Sequence, residues 1–224
     1  MGYDIDLTRL LTKQYRDLLL VADLLPSRRI LQENLKQNFE KITAQGIVNV
    51  DGLFKAINTK QKVHVFSQNT NIPEEYLTML AREIKTYKRK PNRFKDFPEL
   101  SSDTVVSLEQ VGIRNTQQLY DKVLSPASRA QLSSATGLDK DELMKLSKFA
   151  DLSRIRWVNH TFAYVLYEAG FDTAQKVAEA DYNELYERIK ELNAARNIYK
   201  GNIGLHDMKL CVDAAKQLGQ DIEF

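Results

Sequence analysis

The residues with the most distinctive chemistry are cationic and closely spaced. Between Lys85 and Lys95 stand six positive side chains, Lys85, Lys88, Arg89, Lys90, Arg93 and Lys95, with no acid among them. Tyr87 and Phe94 are interleaved. Cations at this density neutralise phosphates with release of counterions, and aromatic rings stack on unpaired bases. The run is therefore a candidate for non-sequence-specific contact with the backbone of DNA or RNA. A solvated linker whose charges only keep it soluble explains the same residues. Arg28 and Arg29 in the first half, and Arg154 and Arg156 in the second, form a further candidate anionic contact. The plainer reading pairs them with nearby acids or helix C-termini.

Groups suited to catalysis are sparse. His64, His160 and His206 are scattered, and none has a carboxylate or cysteine at metal-ligand spacing. Cys211 lies five positions after His206 on an expected helix, so the two point apart and the thiol reads as a small core residue. Glu74 and Glu75, and Asp139, Asp141 and Glu142, sit where helices are expected to start, and the helix dipole accounts for them. The pattern points to a non-catalytic binding protein. No metal, no cofactor and no small-molecule substrate is expected. Trp157, the only tryptophan, is either an exposed anchor for a partner, together with Asn159, or a plug between repeats.

The elements that position these groups are helical. Leu143, Leu146 and Ala150, like Leu185, Ile189 and Leu192, recur at three- and four-residue spacing, while strand-like alternation is nearly absent. The chain also resembles itself. Gly46 to Leu53 matches Gly112 to Leu119 at an offset of 66, which also superposes Ile72 on Leu138 and Leu77 on Leu143. A third copy starts at Gly170-Phe171-Asp172-Thr173, with Leu205 answering Leu138. Each copy follows one grammar: a glycine closes a helix, an apolar residue tucks in, and an Asn, Asp or Thr caps the next helix. Asp139 with Glu142 has capping-box spacing. The prolines and serines after Lys90 mark a boundary, predicting domains at 1–97 and 98–224. Residues 1–100 hold 17 Lys+Arg against 12 Asp+Glu, whereas residues 101–224 hold 15 against 18. For an anionic partner, the first half is thus expected to carry most of the attraction. A single cysteine, no apolar run long enough for a bilayer and no signal-peptide pattern make the cytoplasm the expected location, with no membrane partner.

Three ordered blocks in the second half resemble a known bacterial family. They are Ala135-Thr136-Gly137-Leu138 with Ala150-Asp151-Leu152-Ser153-Arg154-Ile155, then Leu166 to Thr173, then Leu192-Asn193-Ala194-Ala195-Arg196. Over residues 104–220 the chain resembles the family known as domain of unknown function 4332, a helix-hairpin-helix-like domain. The first half reads as a diverged additional copy. The resemblance implies an all-α fold of tandem helix-hairpin-helix-like (SAM-like) repeats of short helices in two compact subdomains. Relatives of this type carry a Gly-apolar-Gly hairpin after the Arg-Ile pair, where this chain has Arg156-Trp157-Val158-Asn159-His160. Those glycines let helix-start N–H groups approach a phosphate, and Trp157 obstructs that approach. Asn159 can still adopt a positive φ that would keep the turn. Two functions stay open, a nucleic-acid-binding protein and a protein-interaction adaptor with no nucleic-acid contact.

Overall fold

A computed structural model describes residues 2–88 and 90–224. The chain divides into two compact units, Asp4–Arg89, and Met1–Tyr3 with Lys90–Phe224. The division falls eight residues before the expected one, because Phe94 and Phe97 are buried in the second unit. Phe97 stacks on Phe149 with ring centroids 4.7 Å apart. A surface linker would not hold two buried phenylalanines.

The first unit contains α1 (Thr12–Val21), a 3₁₀ turn (Pro26–Gln32), α2 (Leu35–Ala44), α3 (Val50–Ile57), α4 (Lys60–Thr70) and α5 (Glu74–Lys85). One apolar face from each element converges on a core that includes Tyr15, Leu31, Ile42, Leu53, Leu77 and Ile84. The second unit contains a 3₁₀ turn (Phe94–Asp96), α6 (Ser102–Gln110), α7 (Thr116–Tyr120), α8 (Pro126–Thr136), α9 (Lys140–Leu152), α10 (His160–Glu168), α11 (Ala174–Glu179), α12 (Tyr182–Arg196) and α13 (Leu205–Ala215). Its core gathers Leu108, Leu119, Leu146, Phe149, Val165 and Leu185, with Cys211 also buried. Among the described residues there is no strand, only the isolated bridges Leu11 to Asn49 and Arg93 to Asn115. None of the described helices is long and apolar enough to cross a membrane.

The repeat read from the sequence reappears as hydrogen bonds at the same offset. Asn49 caps α3 by accepting from Gly52 N at 2.8 Å, and Asn115 caps α7 by accepting from Gln118 N at 3.0 Å. Ser67 donates to Ile72 O and Ser133 to Leu138 O, both at 2.6 Å. Thr70 donates to Phe66 O and Thr136 to Leu132 O, both at 2.7 Å. Gly46 and Gly112 hold φ of 76° and 81°, where a side chain would be strained. Thr173 caps α11 as expected.

Two local expectations change. Asp139 accepts from Glu142 N, but the Glu142 carboxylate accepts from Thr104 Oγ1 at 3.1 Å, so only half of the capping box forms. The counterpart of Leu138 in the last copy is Ile198 rather than Leu205. Ile198 follows Asn197, a left-handed helix end like Gly137, and packs on the core, whereas Leu205 opens α13 and is exposed.

A methyl group built on Gly112 meets nothing within 4 Å, so Gly112→Ala carries a conformational cost alone. Chemical denaturation should register a loss of about 1–2 kcal/mol. Asn115→Ala should lose about 1 kcal/mol with its cap. A Gly112→Ala variant as stable as the parent would show that this turn tolerates another conformation.

Candidate functional site

One end of the second unit is assembled from three chain segments, and Asn92 joins them. Its carbonyl accepts from Thr116 N at 2.9 Å, and Phe94 N donates to Arg114 O at 3.2 Å. These bonds lay residues 92–94 along the turn between α6 and α7. The Asn92 side-chain amide reaches the other way, donating to Ser153 Oγ at 2.9 Å and to Val158 O at 3.3 Å. It thereby holds the turn between α9 and α10. Buried Phe94 keeps this short segment from swinging away.

Lys90, Arg93 and Lys95 on this segment, and Arg114 at the tip beside it, are all exposed. Among the described residues these four make no ion pair. Trp157 stands on the adjoining turn, 47% exposed, with φ of 68°. A bulky residue in the left-handed region costs about 1–2 kcal/mol. It is Trp157, and not Asn159, that takes the positive φ of this turn. Asn159 instead has φ of −85°, and its side chain caps α10 by accepting from Phe162 N at 2.8 Å. Behind the indole lies Arg156, 7% exposed, its guanidinium 4.2 Å from the ring centroid. Trp157 is therefore not a plug between repeats.

The other cations named from the sequence divide sharply. Arg154 is 1% exposed and donates to Asp151 Oδ1 at 2.8 Å and to Gly219 O at 2.9 Å. Asp221 Oδ2 is 3.4 Å away, and the guanidinium lies 4.8 Å from the Tyr120 ring centroid. Burial pushes the Asp151 carboxyl above its usual range, opposed by the N–H of Ala174 and by Arg154. Arg154 is structural, and with Arg156 it is removed from any phosphate-facing surface. In the first unit Lys88 pairs with Asp51 at 2.8 Å and covers the Phe54 ring, and Arg28 pairs with the buried Glu83. Hydrogen bonds from Lys55 and Lys88 hold the Asp51 carboxyl below its usual range. Arg29 and Lys85 are exposed. Arg89 lies outside the described residues. Tyr87 and Phe94 are buried, so neither ring is presented to a base.

Arg114 and Asn92 were not singled out from the sequence. A signal for Arg114 was available: it aligns with Val48 of the first copy, which stands at the same outward position of the repeated turn. Asn92 carried none, since its partners are 61 and 66 residues away.

Chemically reactive groups are few here. His64 Nδ1 contacts Glu74 at 2.6 Å on an exposed surface. The described residues contain no group of three or more metal-ligating side chains. Burial pushes the Cys211 thiol up to about 12, which leaves almost no thiolate at neutral pH.

These features define an all-helical scaffold of short capped helices that carries cations and one tryptophan on its turns. The chain belongs to the DUF4332 family, a domain of unknown function, whose match covers residues 98–218, just over half of its length. No curated protein and no solved structure matches it significantly.

Arg154→Met should lower unfolding free energy by about 3–5 kcal/mol by leaving Asp151 buried without its partner. Urea denaturation measures this, and a loss below about 1 kcal/mol would show that water already reaches the pair. Native Cys211 should react with a thiol reagent only as fast as the protein opens. Reaction at the rate of the denatured chain would contradict the burial.

Proposed function

We propose that the protein is a non-catalytic, non-sequence-specific nucleic-acid-binding protein. Its contact surface is the end of the second unit around Asn92. The observation that carries this reading is the gathering of Lys90, Arg93, Lys95 and Arg114, exposed and without ion pairs among the described residues, beside an exposed Trp157. Bulk charge, by contrast, favours the first unit, as the sequence suggested. The second unit holds 18 Lys+Arg against 20 Asp+Glu, and the first 14 against 10. A phosphate backbone responds to the local field, where these four cations outnumber the exposed Asp96 on the same segment.

The turns support reading the repeats as helix-hairpin-helix-like. A left-handed residue, a tucked apolar side chain and a capping residue recur at Gly46, Gly112, Gly137 and Gly170. The tip at Trp157 follows the same grammar, with Val158 tucked in and Asn159 as the cap, but carries a tryptophan where the others have the left-handed glycine. Its Asn159 side chain already occupies the N–H of Phe162, so phosphate attraction falls to side chains rather than to bare backbone. A cytoplasmic location accompanies this reading, in keeping with the lone unpaired Cys211.

A salt titration of binding tests the proposal. Four phosphate contacts imply a slope of log K against log salt of about −4 on duplex DNA and about −3 on a single strand. Reversing Lys90, Arg93 and Arg114 to glutamate should abolish most of the affinity and flatten the slope. Binding weaker than about 10⁻⁴ M at physiological salt would sink the reading.

A second reading has its own support, in the first unit. Leu11, Leu18 and Val21 recur along one side of α1, and Val48 lies beside Leu11 through the bridge to Asn49. All four are exposed, Val21 by 80% and Val48 by 70%. Such an apolar strip suits a protein partner.

A further inference from the structure

We infer that Trp157 is a stacking shelf for an unpaired base, so that the cationic end of the second unit takes single-stranded nucleic acid in preference to duplex. This rests on the nucleic-acid reading above and adds the state of the strand to it. Three observations meet at this residue. The ring is half exposed although its turn forces it to φ 68°, a backbone state that glycine would occupy without strain. One face is covered by the guanidinium of Arg156, which is itself buried and so fixed from behind. The exposed surface of the ring is therefore on the side away from Arg156. Finally, the segment bearing Lys90 and Arg93 is bound to the same turn through Asn92 and Val158 O, which places phosphate-seeking cations close to the open ring.

The chemistry fits one occupant. Bases inside a duplex have their faces occupied by neighbours, whereas an unpaired base has a free π-face. A cation behind the indole withdraws electron density, which favours stacking of an electron-rich base on the opposite side. The neighbouring cations then hold the phosphates that flank that base. Neither a purely electrostatic patch nor a phosphate-binding hairpin would require an aromatic ring at this position.

Trp157 is the only tryptophan, so its own fluorescence reports on the site. The intact protein is titrated with a short oligothymidylate strand and with a duplex of the same length, reading both tryptophan emission and the anisotropy of labelled DNA. The single strand should quench the emission and bind more tightly than the duplex. Trp157→Gly removes the ring and relieves the backbone, so its thermal midpoint should be unchanged or raised. It should nonetheless bind the single strand roughly 5- to 150-fold more weakly, the equivalent of about 1–3 kcal/mol for one stacked base, with duplex affinity unaltered. Trp157→Phe should retain most of the single-strand affinity. Unquenched emission, or equal single-strand affinity in Trp157→Gly, while reversal of Lys90, Arg93 and Arg114 still weakens binding, overturns the stacking role and leaves the nucleic-acid reading standing. Absence of binding to either DNA overturns both.

Discussion

Every helix end strands backbone donors or acceptors that must find partners, and this chain is built from short helices with many ends. The structure is organised around that constraint. A left-handed residue turns the chain at Gly46, Gly112, Gly137 and Gly170, and a side-chain oxygen two or three positions later takes up the N–H groups of the next helix. No helix exceeds fifteen residues among those described, so propensity contributes little and packing of one apolar face contributes most. These caps satisfy the N–H groups within the turn itself, so a turn tip can stand at the surface while the helices behind it pack. That is why the candidate contact residues lie on turns.

The second unit adds a polar constraint inside its core. Arg154 connects the end of α9 to the last residues of the chain through Asp151, Gly219 and Asp221, and Tyr120 donates to Asp221 at 2.7 Å. Removing one partner from such a set is costly, whereas a well-packed apolar replacement of the whole set need not be. The network therefore fixes where the C-terminal segment lies more than it adds to total stability. Asp151 also accepts from Ala174 N, so the same carboxylate sets the start of α11.

Local features of the fold were legible before any coordinates, because each depends on neighbours in sequence. Gly112, Asn115, Asp139 and Thr173 act through residues one to three positions away, and their types state their role. The 66-residue offset was legible for the same reason. Exposure was not. Tyr87 and Phe94 sit within a run of cations yet face inward, Tyr87 against Tyr15 and Phe94 against Phe97. For Arg154 the plainer reading, pairing with a nearby acid, is met by Asp151 three positions away, but its burial and its reach to Asp221, 67 residues further on, were not legible. Of the ten candidate cations, Arg154 and Arg156 are buried and Arg28 and Lys88 are taken up by acids. Arg114, set by the outward register of a turn, was readable in principle. Asn92 was not, since only folding brings Ser153 and Val158 to it.

The outward position of the repeated turn has a wider consequence. In two copies it carries an exposed residue, Val48 and Arg114, one apolar and one cationic, on backbones closed by the same left-handed glycine, whereas in the third Asp172 is turned into ion pairs with Lys148 and Lys176. The closure and the surface chemistry are thus carried by different atoms, and one can be changed without disturbing the other. A scaffold with that separation behaves like a set of identical sockets. The surface character of a tip is then set by a single residue, and grafting one tip onto another is a change of vocabulary rather than of grammar.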